Sequence, residues 1–220
     1  MTQAISCRRH ESPQALPAAG KLKGLSYRAR ARPQLAIYTQ RIYTLFVMTR
    51  LRRIAEFERF FFITANISKS VPLLRPVEMD MLLGILETVR RGLGFRLLGY
   101  VVMPDHCHLL FETRRESLSH IMHQWKFKSG FAVQQYRKHS GAFWQPRFFD
   151  FICRCARDVS DKLYYIHQNP VSQNLVSGPE EWKWSSAAFY LRLGQSPVKP
   201  DLVEFSGDPN ELLWPAPNRL

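Results

Sequence analysis

The stretch Tyr100 to Glu112, YVVMPDHCHLLFE, constrains the fold of this chain more than any other. It sets two histidines one residue apart inside a run that otherwise reads as β-strand. Successive side chains of a strand alternate sides, so His106 and His108 project from one face while Cys107 and Leu109 point to the other. Two imidazoles on one face make half a metal site. A bare H-x-H is more often a half-exposed strand that happens to carry histidines. What shifts the balance is YYIHQNPV, Tyr164 to Val171, where a tyrosine and an amide sit four residues apart next to a proline.

The flanking pattern places that strand in an α+β fold. FFFITANIS, Phe60 to Ser68, is aromatic and β-branched and reads as a strand. Val77 to Arg91 spaces Met81, Leu82, Ile85, Leu86 and Val89 as a helix does, with Gly92 and Gly94 as the stop. FRLLGYVVM, Phe95 to Met103, is a second strand, and Pro104-Asp105 turns it into the histidine strand as an antiparallel hairpin. Ser117 to Lys138 predicts a long helix with Leu118, Ile121, Met122, Trp125 and Phe131 inward, and Lys126 and Arg137 on one common face. RFFDFICR, Arg147 to Arg154, is the fourth strand. The order strand, helix, strand, strand, helix, strand is the ferredoxin-like split βαβ arrangement, an antiparallel sheet with helices on one face. An extra helix, Asp158 to Asn169, follows. Asp158 is its expected N-cap, and Asn169-Pro170 its expected end.

Two i, i+4 pairs on that last helix compete for the histidine face: Tyr164 with Gln168, and Tyr165 with Asn169. At about 100° per residue, Val159, Leu163 and Ile166 define the buried stripe. Tyr165 and Asn169 then lie on the flank bordering the rest of the domain, and Tyr164 and Gln168 on the outer side. The Tyr165 pair is the better placed to meet a metal held on the sheet.

Charge narrows the partners. The chain has 220 residues with 31 Lys and Arg against 18 Asp and Glu, a formal charge of +13. Such an excess favours polyanions, above all nucleic acid, over acidic small molecules, the alternative being a ribosome-like or merely basic surface. Residues 1–47 carry eight Lys or Arg and one acid, Glu11, a net +7, with little hydrophobic periodicity before Leu35. They are expected to be a disordered basic arm. Met48 opens MTRLRRIAEF like a start of its own, so a true tail and an over-extended gene start both remain open. No apolar run reaches the roughly 20 residues of a membrane span, and no signal peptide follows Arg8 and Arg9. A cytoplasmic, nucleoid-associated protein is expected. Cys7 lies in the polar arm, Cys107 between the histidines, and Cys153 and Cys155 form C-x-C. That is no disulfide framework but reduced thiols, and without a second cysteine pair zinc ligation by Cys153 and Cys155 is the lesser reading.

The histidine strand and YIHQNPV together resemble the HUH-type single-tyrosine transposases, specifically the REP-associated tyrosine transposase family. FFFITANI, LSHIMHQWK, FWQPRFFD and EEWKWSSAAFY fit the same family in the same order, so the likeness spans about Met48 to Tyr190. Cys107 in the middle of the histidine motif, and VSQNLV where a glycine is usual, depart from it. The resemblance implies a transposase domain over residues 48–190 and a C-terminal tail over 191–220. It implies that Tyr165 becomes linked to a 5′ phosphate and frees a 3′ hydroxyl, with a divalent cation on His106, His108 and the amide oxygen of Asn169. Mg²⁺ or Mn²⁺ suits that role, although imidazole also favours zinc or nickel. No small-molecule cofactor is expected.

The implied substrate is single-stranded DNA near a hairpin, such as a repetitive extragenic palindrome, handled by a monomer or homodimer. Lys126, Lys128, Arg147, Trp125 and Trp144 are the candidate DNA contacts, each equally readable as structural. Two other classes stay open: a DNA-binding module that has lost catalysis, and a metal-dependent nuclease without a covalent intermediate.

Overall fold

The computed structural model describes residues 59–193, 195–205 and 208–210, so the basic arm and Cys7 lie outside the described residues. Four strands, β1 (Arg59–Asn66), β2 (Arg96–Val102), β3 (His106–Thr113) and β4 (Phe149–Cys153), form one sheet in the order β2-β3-β1-β4. Every neighbouring pair is antiparallel. Helices α1 (Pro76–Leu93) and α2 (Leu118–Arg137) make the two crossovers. This is the ferredoxin-like arrangement expected from the order of elements.

Period-two alternation sorts the strand residues into two cores. Phe61, Ile63 and Ala65 of β1, with Cys107, Leu109 and Phe111 of β3, face α1 and α2 and meet Leu82, Leu86, Ile121 and Trp125. Phe60 and Phe62, with Leu110, face the other way and meet Val159, Leu163 and Ile166 of α3 (Ala156–Ser172). The extra helix therefore lies on the sheet face opposite the two crossover helices. Leu163 packs so closely on β2 that a Cβ at Gly99 would overlap its Cδ1. The β2–β3 register shifts between Leu97 and Gly99, a bulge that lies under this contact.

Several local expectations change. Cys155, not Asp158, precedes the first turn of α3, and the Asp158 carboxylate accepts the Arg154 N–H at 2.7 Å from inside that turn. Pro170 does not end the helix, which runs on to Ser172. A proline so near a C-terminus removes only one donor, and the N–H groups of Gln173 and Leu175 still reach the carbonyls of Asn169 and Pro170. On α2, Phe131 is exposed and Val133 is buried in its place. The shared face of Lys126 and Arg137 is no free basic stripe. Arg137 is tied to Glu78 of α1, and Lys126 donates to backbone carbonyls.

Past α3, a 3₁₀ turn (Pro179–Glu181) and a short α4 (Ala187–Tyr190) follow. Residues 184–186 run along the outer edge of β2, where Val102 N–H donates to Trp184 O and Ser186 N–H to Tyr100 O. Packing continues beyond residue 190, because Val198 and Phe205 are buried and Asp201 joins Arg90 and the Leu97 backbone. Residues 195–205 thus belong to the domain rather than to a loose tail. Among the described residues no helix is long and apolar enough to cross a membrane.

Candidate active site

The turn at Pro104-Asp105 is closed by Met103 N–H donating to His106 O, which delivers the two histidines to the start of β3. Their rings lie 4.7 Å apart on the α3 face. Each is held by a different neighbour. His106 Nδ1 donates to Asp105 Oδ1 at 2.6 Å, which leaves Nε2 as its free lone pair. The hydrogen bond from His106 holds the Asp105 carboxyl below its usual range despite partial burial.

His108 pairs in register with Thr64 of β1, and its Nδ1 lies 2.9 Å from Thr64 Oγ1. Its Nε2 lies 3.0 Å from Asn169 Nδ2. An amide nitrogen can only donate, so Nε2 accepts, and Nδ1 carries the proton that Thr64 receives. Burial first, then the field of His106, pushes His108 well below the ordinary imidazole pKa, so it stays neutral. A neutral imidazole with its lone pair turned to the site is the form that binds a cation.

Helix α3 brings the third party. The Tyr165 ring lies 5.2 Å from His108 and 5.8 Å from Phe62, edge-on to both, and the residue is 50% exposed. Its neighbour Tyr164 is partly buried against the α3-side core. That reverses the outer position expected for Tyr164. The segment after Ser172 brings Trp182, Phe189 and Leu191 to the same core, so the flank that looked outward has neighbours.

Among the described residues no cluster of three or more His, Cys, Asp or Glu could hold a metal. The third donor beside His106 and His108 is Asn169, 6% exposed, whose Oδ1 is buried without a hydrogen-bond partner. Rotating the amide exchanges its oxygen and nitrogen, and sets Oδ1 beside His108 Nε2 with both lone pairs convergent. The donor set fits a divalent cation.

Of the DNA-contact candidates, Trp125 and Trp144 are 1% and 6% exposed, and their rings pack 5.0 Å apart within the α1–α2 core. Their indole N–H groups donate to Leu82 O and Ser129 Oγ. They are core residues and offer no stacking surface. Lys126 Nζ donates to the carbonyls of Gln145 and Pro146 at 2.7 and 3.1 Å, and burial lowers its pKa. Lys128 and Arg147 are exposed. The sequence reading missed Thr64, whose role rests on cross-strand register. It also missed Asp105, although PDH places a carboxylate directly before the first histidine.

A family model described as IS200-like transposase matches residues 67–169, from the end of β1 to Asn169 itself. The REP-associated tyrosine transposase of Escherichia coli K12 is 26% identical over 69% of this chain and 95% of its own length. The chain is thus similar to the REP-associated tyrosine transposases. A second relative, from Haemophilus influenzae Rd, carries a tentative form of the same name and is 27% identical over 42% of this chain, which spans 58% of its length. A solved REP-associated tyrosine transposase bound to a REP hairpin shares the fold, with a TM-score of 0.55 and 23% identity. It covers 74% of this chain and 98% of its own.

Proposed function

We propose that this protein is a transposase that cuts and rejoins single-stranded DNA beside a hairpin of the REP kind, using Tyr165 as the nucleophile. The observation that carries the reading is the half-exposed Tyr165 ring 5.2 Å from His108, whose Nε2 meets Asn169 from the same helix. The phenol must lose its proton as it attacks, since its free pKa is about 10. Tyr165 Oη forms a bond to phosphorus, the bond from phosphorus to the 3′ oxygen breaks, and that oxygen leaves as a 3′ hydroxyl. The exposed edge of Tyr165 lets its own proton pass to water. The tyrosyl phosphodiester keeps the energy of the bond it replaced, so a 3′ hydroxyl can reverse the step without ATP.

His106, His108 and Asn169 would hold Mg²⁺ or Mn²⁺. Such a cation, when bound, polarises the scissile phosphate and offsets its developing charge. Imidazole nitrogens and an amide oxygen add no negative charge of their own, so the cation's field falls on the phosphate. Asp105 and Thr64 keep the two rings turned to that position.

The test is a labelled hairpin with single-stranded flanks, incubated with Mn²⁺ and run under denaturing conditions. Protein joined covalently to DNA is expected, lost in Tyr165→Phe while hairpin binding persists, and lost on chelation. Cleavage without an adduct would instead indicate a nuclease using water. Binding without cleavage would indicate a DNA-binding module, and a dead Tyr164→Phe with active Tyr165→Phe would move the nucleophile.

A further inference from the structure

Two residues beside the site have no part in the chemistry just described. Phe149 of β4 pairs in register with Thr64, on the far side of β1 from His108. Adjacent strands lie about 4.8 Å apart, so Phe149 stands roughly 10 Å across the sheet from His108. Alternation along β4 puts Phe149 on the same face as Phe151 and Cys153, the face that carries α3 and the histidines. Phe151 is partly covered and Cys153 is buried, yet Phe149 is 51% exposed.

Lys162 sits on α3 one turn before Tyr165, on the same side of the helix. Its Nζ lies 4.5 Å from the Phe151 ring centre and 5.1 Å from that of Phe62, the ring that Tyr165 also touches. Among the described residues Lys162 makes no hydrogen bond and no ion pair. The ring faces hold the ammonium in place but accept none of its N–H groups as a carboxylate would. An ammonium held beside a nucleophile, with an exposed aromatic ring two residues along β4 from the Phe151 ring it touches, matches a phosphate followed by a base. Among the described residues β4 ends the sheet, so an extended strand can leave the site across it.

We propose that Phe149 and Lys162 form a subsite for a nucleotide flanking the scissile phosphate, Phe149 stacking on its base and Lys162 binding its phosphate. The subsite rests on the function proposed above. Stacking on an aromatic side chain is indifferent to base identity, so this contact fixes the strand's path and not its sequence. Lys162 adds a charge-assisted contact beside Tyr165 and sets the direction in which the strand crosses the sheet.

Binding of full-length Tyr165→Phe protein to the hairpin, without cleavage, tests the subsite. Oligonucleotides carry one abasic nucleotide or one uncharged methylphosphonate at each position near the cut. One flanking position should be sensitive to each change. Phe149→Ala should weaken binding of the unmodified hairpin about tenfold, yet cost nothing on the oligonucleotide abasic at that position. Lys162→Gln should behave likewise with the methylphosphonate, and Lys162→Arg should restore affinity. Equal losses on every oligonucleotide would mean a structural role and overturn the proposal. So would a Tyr165→Phe background indifferent to every flanking position, a result that needs no further variant to fold. Normal hairpin cleavage by the unaltered chain alongside either result would leave the proposed function standing and remove only the subsite.

Discussion

Thr64 decides which nitrogen of His108 faces the site. Its hydroxyl oxygen accepts the Nδ1 proton, so the unprotonated Nε2 is the one turned to Asn169. Replacing it with valine keeps the shape and removes the acceptor. Thr64→Val is expected to weaken Mn²⁺ binding by about 10- to 100-fold, measured by calorimetric titration, with the fold unchanged by circular dichroism. Unaltered affinity would show that the ring is oriented without Thr64. Nothing in FFFITANI signals this role, because it depends on β1 pairing with β3 in one register. Asp105 was readable from its position beside His106. The pairing of Tyr165 with Asn169, i to i+4, was readable from helix geometry alone.

Two contacts between elements govern how the site is held. Glu78 of α1 is fully buried and receives Arg137 of α2 at 2.6 and 2.7 Å, as well as Arg75 and its backbone N–H. Burial alone would raise its pKa, but the hydrogen bonds from Arg137 and Arg75 outweigh burial and bring it from 4.5 to about 2. A carboxyl depressed in the folded state contributes stability above its unfolded pKa and loses it as the pH falls through the folded one. Glu78→Gln is expected to cost about 3 kcal/mol at pH 7. In urea denaturation the gap between variant and parent should close as the pH falls from 4.5 towards 2. A gap independent of pH would mean that packing, not charge, joins the two helices.

On the other face, Gly99 lets Leu163 seat α3 against β2. Gly99→Ala should cost about 1–3 kcal/mol through overpacking. It should also slow cleavage, because Tyr165 and Asn169 ride on the displaced helix, and Leu163→Val in the same chain should recover part of both losses. Wild-type stability and cleavage in Gly99→Ala would show that Leu163 can turn aside without moving the helix.

At the scale of the molecule, a charge of +13 predicts DNA binding that weakens steeply with salt. Residues 1–47 hold +7 of it, while every candidate site residue and both described cores lie after residue 58. A chain beginning at Met48 is therefore expected to fold and to cut hairpins. On single strands each neutralised phosphate contributes ~0.7 to the logarithmic salt slope, so the slope should fall by up to about 5. Preference between a matched and a scrambled hairpin should not change. Binding and cleavage by both chains across a salt series check this. An insoluble short chain would place part of the core in the first 47 residues, and a switched preference would give them a role in reading sequence.

The sequence by itself determined what local backbone geometry determines. Alternation put His106 and His108 on one face, helical spacing joined Tyr165 to Asn169, and the order of elements gave the split βαβ sheet. Tertiary structure decided burial and partnership, which join residues far apart in the chain. Helical spacing already turned Trp125 inward, but only the packing of α2 against the loop before β4 shows Trp144 buried beside it in the core. The same packing occupies Lys126 with two carbonyls, which no charge pattern reveals. Pro170 marks a helix end in isolation, yet it removes only its own donor, later N–H groups still reach the carbonyls of the last turn, and the helix runs on. His108 meets Thr64 across 44 residues and Asn169 across 61. Which imidazole nitrogen is free follows from the register of β1 on β3, and how near Tyr165 stands to it follows from how α3 seats on the sheet, contacts that no local pattern encodes.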